Sequence, residues 1–349
     1  MDGSVHEFDA LPRVFAADPG VDAAPLRRVH SARAAGSLPL VGVIRNPRSH
    51  RNRGHVPEMD GQPNVLNAVP GARGELPEIL AGFAARGIDF LVVDGGDGTV
   101  RDVLTAGAPV FGHDWPPLIV LPKGKTNALA VDLGLPNHWS LPEALEAARG
   151  GRIVERCPVV VDQPGGDGGE AHGFILGAGI FNTATQAGQT AHRYGAFNNL
   201  AVALTAVSGM AQALFGIGRG DWRKRTPMRF YVGHDRAELA ASRHGRDGER
   251  YSLLVSTLSR FPLGMQPFGK PRSGIRYSVI DAPLRRVVAM VPALLSGWET
   301  PGHERLGVFR GSTNEAWVEF GDRFILDGEA FPAGRYRLRM GPKLQFIAP

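Results

Sequence analysis

The residues best suited to chemistry form a glycine-rich stretch, Asp94-Gly95-Gly96-Asp97-Gly98-Thr99. It follows an apolar run, residues 90–93, and precedes residues of helical composition. Glycines at a strand-to-helix junction let the backbone turn sharply and approach a ligand closely, with N–H groups free to point at phosphate oxygens. The stretch predicts a phosphate-binding loop, and an ordinary tight turn is the alternative.

A second candidate loop covers residues 122–127, Pro-Lys-Gly-Lys-Thr-Asn. The Gly-Lys-Thr in it suggests a P-loop, but that motif needs a glycine five residues before the Gly-Lys pair, where Ile119 stands. Thr126 or Asn127 at the start of the next helix would aim its N-terminus at an anion, while the two lysines supply positive charge. A plain helix N-cap is the alternative interpretation.

A pair of carboxylates lies far away in the chain, in Asp327-Gly328-Glu329, on a β-rich run. Asp-Gly is typical of a hairpin turn. The same two side chains could supply a general base and a metal-associated carboxylate. Phosphoryl transfer needs a positioned nucleophile, a metal, and cationic or backbone donors that stabilise the charge on the transferring phosphoryl group. The three stretches together make a set suited to this reaction.

The elements that must position these residues differ between the two halves of the chain. Strands predicted at residues 38–44, 88–93 and 118–121 alternate with helices, which indicates a mostly parallel, doubly wound sheet. Both loops follow strands, and ligands of such sheets bind beyond the carboxyl ends of the strands. After residue 150 the pattern becomes short β-rich runs, such as 153–161 and 172–178, which favour a sandwich or a barrel. We therefore divide the chain into an extension (1–37), an α/β domain (38–150) and a β-sandwich domain (151–349).

Composition limits the partners and the compartment. The chain has 349 residues, 43% of them hydrophobic, which is enough for two cores. A single cysteine, Cys157, excludes an internal disulfide, and the N-terminus lacks the pattern of an export signal. A cytoplasmic protein is therefore expected. The net charge of +5 comes with no nucleic-acid motif, so nucleic acid is not expected as a partner.

With these motifs assembled, the chain resembles the diacylglycerol kinase catalytic-domain family, which includes bacterial lipid kinases, sphingosine kinases and ceramide kinases. The resemblance rests on four motifs in matching order over residues 38–349: Asn46-Pro47, Gly95-Gly96-Asp97-Gly98-Thr99, Pro122-x-Gly124-x-Thr126-Asn127-x-x-Ala130 and Asp327-Gly328-Glu329. It implies a nucleotide-binding α/β domain followed by a β-sandwich, with the active site in the cleft between them. The last strands of such proteins return towards the first domain, which leaves their assignment open.

The resemblance also implies roles for individual residues. Asp97 would lie near the transferring phosphate of ATP and its Mg²⁺, Asp327 would take the proton from a lipid hydroxyl, and Glu329 would support that base or the metal network. The residues expected to contact the nucleotide are Asn46, Ser49, Gly95, Gly96, Gly98, Thr99, Gly124, Thr126 and Asn127.

Four departures from the family's pattern bear on substrate choice and on any structural metal. Lys125 stands where threonine or serine usually follows Gly124, and Asp102 replaces the usual glutamate, which shortens its reach by one methylene. The Gly-rich, Pro-containing segment of the second domain is reduced to residues 261–267. The acidic cluster that binds a structural metal in some bacterial members is not evident nearby.

The leading hypothesis is an ATP-dependent kinase that phosphorylates a long-chain lipid such as diacylglycerol, ceramide or a sphingoid base.

Residues 284–298 combine two arginines, an apolar run and a tryptophan, and are interpreted either as a contact with an anionic membrane surface or as a helix packed on the sandwich. Residues 194–218 are a second candidate for a tail pocket or membrane face. The alternatives are a kinase of a soluble substrate such as NAD and a non-catalytic lipid- or nucleotide-binding protein. The sequence makes no prediction of the oligomeric state.

Overall fold

A computed structural model describes residues 6–13, 37–166, 168–184 and 222–349. The predicted segment 194–218 and most of the predicted extension 1–37 lie outside these residues. The elements of the first part are β1 (Val41–Arg45), β2 (Val65–Ala68), α1 (Leu76–Ala85), β3 (Phe90–Gly95), α2 (Asp97–Phe111), β4 (Leu118–Pro122), α3 (Ala128–Leu133), α4 (Leu141–Gly150) and β5 (Ile153–Arg156).

The second part contains most of the strands and further helices. In chain order they are β6 (Val159–Asp162), β7 (Glu170–Gly173), β8 (Ile175–Gly179), β9 (Thr226–Val232), β10 (Ala237–Glu238), β11 (Glu249–Arg250), β12 (Ser252–Ser256), β13 (Ile275–Ile280), α5 (Arg285–Leu295), α6 (Gly302–Arg305), β14 (Val308–Thr313), β15 (Glu315–Phe320), β16 (Phe324–Leu326), β17 (Glu329–Phe331), β18 (Gly334–Met340) and β19 (Leu344–Ile347).

The first sheet has the strand order β2-β1-β3-β4-β19-β5. Its first five strands run parallel, and β5 is antiparallel to β19. Residues of α1 and α2 share one buried cluster with the sheet, and those of α4 share another. A parallel sheet covered by helices on both faces needs strands that are apolar throughout, and β1, β3 and β4 have this composition.

Two antiparallel sheets form the second part. One has the order β14-β13-β12-β8-β16-β17, and the other has the order β10-β9-β15-β18-β6-β7 with β11 beside β9. Alternate residues of both sheets meet in one buried cluster, as in a β-sandwich. The predicted fold class, an α/β domain followed by a sandwich, is confirmed. Within the described ranges, no helix has the length and apolar character needed to cross a bilayer.

The β-rich runs predicted over 153–161 and 172–178 each form two strands that belong to different sheets. The first run is interrupted at Pro158, which has no N–H to donate to a ladder, so β5 stays in the first sheet and β6 enters the sandwich. The second run is interrupted at Phe174, between β7 and β8. The amide of Phe174 donates instead to the carboxylate of Asp327.

Candidate active site

The two glycine-containing loops predicted from the sequence touch each other through their backbones. Gly96 is the N-cap of α2, and a Cβ built on it would lie 2.9 Å from the Cα of Gly124. A Cβ on Gly124 would lie 2.8 Å from the Cα of Gly96. Lys123 also donates its amide to the carbonyl of Gly95, at 3.0 Å. Both positions are glycine because the loops approach more closely than a side chain permits.

The end of β1 joins this pair of loops. Asn46 donates its side-chain amide to Thr99 Oγ1, at 2.9 Å. Beneath it, Arg45 and Asp94 form a buried ion pair at 2.5 Å, and Asn52 donates to Asp94 Oδ1. Ser49 lies in the turn after Asn46. The sequence identified Asn46, whereas Arg45 and Asn52 were missed because their roles are to hold this turn.

Asp97 is the first residue of α2, and its carboxylate caps a different helix. Its oxygens accept the amides of Ala128 at 2.9 Å and Leu129 at 3.2 Å, in the first turn of α3. Burial raises the pKa of Asp97 above its ordinary value, and the backbone donors counteract part of that rise. The anion at the start of α3 is therefore the side chain of Asp97.

The side chain of Asn127 is used within the second loop. It donates to the carbonyl of Gly124 and accepts the Gly124 amide, in a closed pair of hydrogen bonds of 3.0 and 2.8 Å. Asn127 has a left-handed backbone, with φ of 50°, which this local pairing stabilises. Lys123 is tied to Glu58 at 2.9 Å. Lys125 and Thr126 are exposed, and so they are the polar side chains of this loop that face outward.

Asp327 lies in the tight turn between β16 and β17, with φ of 45°. Its carboxylate accepts the amides of Phe174 and Ile175, each at 2.9 Å. A Cβ on Gly173 would lie 2.6 Å from Asp327 Oδ2, so glycine there makes room for the carboxylate. Burial and the charge of Asp97 raise the pKa of Asp327 to about 7, against the two amides and Arg101.

The hairpin that carries Asp327 faces the start of α2. A Cβ on Gly98 would lie 3.9 Å from the backbone oxygen of Asp327 and 3.8 Å from Glu329 Oε1. Asp97 and Asp327 are close enough for one charge to raise the pKa of the other. The structure thus brings the glycine loop, the second loop and the distant carboxylate pair to one cleft between the two parts of the chain.

Glu329 belongs to a network with two arginines that the sequence reasoning missed. Its Oε1 lies 3.2 Å from Arg73 and 3.9 Å from Arg101, while Oε2 is buried without a hydrogen-bond partner in the described chain. Burial raises the pKa of Glu329, and the two arginines lower it in part. Asp102 pairs with both arginines, at 2.7 and 2.6 Å, so the shorter acid still makes these contacts.

Arg101 connects the two parts of the chain through a hydrogen bond. It is 1% exposed, and its guanidinium donates to the carbonyl of Leu326, the residue before Asp327, at 3.1 Å. A signal for it existed in the sequence: Arg101 falls at helical spacing with Leu104 and Thr105, on the face of α2 that is buried. A charged side chain on such a face predicts a buried partner.

The start of α2 is suited to binding phosphate groups. Helix α2 is 15 residues long, and the N–H groups of its first two residues lie at the cleft beside Gly98, whereas the Thr99 amide donates to the carbonyl of Gly96. Across the described residues no group of three or more His, Cys, Asp or Glu side chains is arranged to hold a metal by itself. Mg²⁺ often binds through one or two carboxylates plus substrate phosphates, and Asp97 is the carboxylate at the start of α2 that could hold it.

Comparisons with known proteins agree with this arrangement. Residues 42–157 match the family model described as the diacylglycerol kinase catalytic domain, and the resemblance predicted from the sequence is confirmed there. Curated relatives named probable lipid kinase YegS, from Shigella flexneri and Shigella boydii serotype 18, are each 37% identical over 82 residues. That stretch is 24% of this chain, and it spans only 27% of the length of each relative.

Solved structures extend the likeness of the fold beyond that stretch. A putative diacylglycerol kinase from Bacillus anthracis str. Sterne superposes with a TM-score of 0.62 over 88% of this chain and 96% of that chain, at 14% identity. A second structure of a putative diacylglycerol kinase from this organism gives a TM-score of 0.59 over 88% and 97% of the two chains, at 15% identity. Both parts of the chain therefore have the arrangement of these proteins.

Proposed function

We propose that this chain is a kinase that transfers the γ-phosphoryl group of ATP to the hydroxyl of a long-chain lipid such as diacylglycerol, ceramide or a sphingoid base. One observation carries the proposal. Asp327 is a buried carboxylate with a pKa of about 7, and it faces the glycine loop and Asp97 across the cleft. A base with a pKa near neutrality, set opposite a phosphate-binding helix start, is suited to activating a hydroxyl.

The residues divide the reaction between the two sides of the cleft. Asp327 takes the proton of the acceptor hydroxyl, the acceptor oxygen forms a bond to the γ-phosphorus, and the bond from that phosphorus to the bridging oxygen breaks, releasing ADP. The start of α2 and the loop at Gly124 hold the phosphates. Asp97 would hold Mg²⁺, which would neutralise phosphate charge. Arg73 and Arg101 hold Glu329 beside the base.

The peripheral membrane contact of a lipid kinase has a candidate surface on the second part. Leu263, in a short 3₁₀ turn, is 98% exposed, and Gln266 from the same loop donates its amide to Leu295 at the end of α5. Trp298, just beyond the end of α5, is 46% exposed. Arg285 and Arg286, at the start of α5, are exposed as well. Exposed apolar side chains together with exposed cations suit an anionic bilayer. The other face of α5 packs on the sandwich, where Val287 and Leu294 meet Val308.

We expect Leu263→Gln to weaken binding to vesicles of anionic phospholipid by roughly tenfold, because it removes one apolar side chain from the contact. The measurement is co-sedimentation at constant ionic strength. Val56→Gln is the matched control, since Val56 is 80% exposed on the first part of the chain. Equal binding by both variants and the unsubstituted protein would place the membrane contact elsewhere.

The experiment that tests the function is a phosphoryl-transfer assay with γ-labelled ATP and Mg²⁺. Diacylglycerol, ceramide and sphingosine are offered separately in mixed micelles, and NAD is offered in a parallel reaction. Label in a lipid phosphate supports the proposal and identifies the acceptor. Label in NAD phosphate alone would replace it with a kinase of a soluble substrate. No transfer, with ATP still bound, would favour a non-catalytic nucleotide-binding protein.

A further inference from the structure

An N-terminal segment that precedes the matched family domain, residues 6–13, joins the free edges of both sandwich sheets. Phe8 donates its amide to the carbonyl of Ala330 in β17 at 2.8 Å, and Ala330 donates to the carbonyl of His6 at 3.0 Å. Farther along, Glu170 in β7 donates to the carbonyl of Pro12 at 3.0 Å. β17 and β7 each end their sheet. The segment therefore borders the hairpin that carries the two carboxylates.

Two side chains of this segment have different surroundings. Leu11 is 4% exposed and belongs to the sandwich core. Phe8 stacks on Phe331 of β17, with ring centroids 4.5 Å apart and planes 6° apart. The guanidinium of Arg73 lies 4.8 Å from the centroid of the Phe8 ring, and that of Arg101 lies 5.4 Å from it. Leu11 is thus a packing residue, whereas Phe8 contacts the charged network.

The arginines against Phe8 are the ones that hold Glu329. Arg73 contacts Glu329 at 3.2 Å, but its side chain is 40% exposed, so it has freedom to leave. Beside Arg73 lies a cavity of about 240 Å³. It is lined by Phe8 and Pro12 of the N-terminal segment and by residues near the start of α1 and along α2. Loss of the Phe8 ring would enlarge this cavity and remove the surface against which Arg73 rests.

We propose that Phe8 is a positioning residue: its ring holds the guanidiniums of Arg73 and Arg101 in place against Glu329, so that the N-terminal segment completes the active site. This inference rests on the proposed kinase function. The aromatic face attracts the cations through its quadrupole, and stacking on Phe331 fixes the direction of that face. The position of Glu329 then depends on a segment that lies far before the glycine loop in the sequence.

The test compares Phe8→Leu, Phe8→Tyr and Leu11→Ala in the full chain. Phe8→Leu keeps an apolar side chain but removes the π face. We expect it to lower kcat by about tenfold to a hundredfold, the cost of a misplaced catalytic group, with the KM for ATP unchanged. Phe8→Tyr keeps the face and restores kcat to within about twofold of the unsubstituted protein. Leu11→Ala lowers the melting temperature and leaves kcat unchanged, because it creates a void in the sandwich core.

A second readout needs no turnover. The side-chain carboxyl carbon of Glu329 is titrated by ¹³C NMR in glutamate-labelled protein, with Glu329→Gln used for assignment. The charged groups that influence Glu329 are Arg73, Arg101, Asp102 and His6. If Phe8→Leu releases Arg73, the pKa of Glu329 rises further, since a favourable charge is lost.

The outcomes separate the inference from the proposed function. Unchanged kcat and unchanged Glu329 titration in Phe8→Leu would overturn the positioning role, as would an equal loss of kcat in Leu11→Ala. If the unsubstituted protein phosphorylates no lipid, the proposed function fails, and the Glu329 titration alone decides whether Phe8 positions this carboxylate. A shifted titration in Phe8→Leu that Phe8→Tyr restores supports the inference.

Discussion

Asp327→Asn is expected to retain nucleotide binding and to lose phosphoryl transfer by about 10²- to 10⁴-fold, the usual contribution of a general base. The carboxylate accepts amides from Phe174 and Ile175, so it is held in one orientation. Asparagine has a similar shape but its amide group cannot take up a proton at neutral pH. The acceptor oxygen would then have to lose its proton to water.

The measurement pairs steady-state kinetics with ATP binding by calorimetry. Asp322→Asn is the matched control, because Asp322 is exposed in the turn that precedes β16 and makes a local bond to the amide of Arg323. It should leave kcat and ATP binding as they are. Turnover of Asp327→Asn within tenfold of the unsubstituted protein would rule out Asp327 as the base.

The same assignment fixes the pH dependence. With the pKa of Asp327 at about 7, the base is protonated below neutrality, so kcat should rise through about pH 7 to a plateau, and Asp327→Asn should lack this rise.

The free energy of unfolding should change with pH in the opposite direction. The pKa lies above the ordinary value of 3.8, so the folded state binds the proton more tightly, and this contribution is lost as pH rises between about 4 and 7. Denaturant unfolding at pH 5 and pH 8 measures it.

The parts of the site that follow from chain order were predictable. Loops after neighbouring parallel strands meet at one edge of a sheet, so the convergence of Gly96 and Gly124 could be expected from the strand pattern alone. The doubly wound sheet followed from apolar runs alternating with helical spacing. The placement of Asp327 opposite Asp97 depended on the resemblance to a family, since no local pattern relates residues so far apart.

The parts that depend on tertiary contacts were not predictable. Asp97 caps α3 across 31 positions in the chain, which no capping rule for Asn127 could indicate. Arg73 lies in a stretch that has the composition of a solvated turn, yet its side chain contacts Glu329, 256 positions away. Phe8 lies in a stretch with no helical or strand period, and its pairing with β17 depends on an edge that exists only after the sandwich has formed.

Gly96→Ala is expected to abolish ATP binding in the assayed range and to lower kcat/KM by about 10²-fold or more. The backbone of Gly96 is extended, with φ of −99°, so alanine is permitted by its conformation. The obstacle is the Cα of Gly124, 2.9 Å from the new Cβ, which is a backbone atom and has no rotamer by which to move away. The two loops must therefore separate, and the hydrogen-bond donors on each loop no longer point at the same phosphate site.

The matched control is Gly82→Ala in α1, where a new Cβ meets nothing within 4 Å. It should leave kinetics unchanged and raise stability by about 1 kcal/mol, because alanine is the better helix former. For Gly96→Ala, overpacking costs about 1–3 kcal/mol, so folding is checked by circular dichroism and thermal unfolding before ATP binding is measured. A folded Gly96→Ala that binds ATP as the unsubstituted protein does would show that the contact between the loops is not what shapes the phosphate site. A folded variant that has lost ATP binding ties nucleotide recognition to this one backbone contact, since the substitution changes no charge and removes no hydrogen-bonding group.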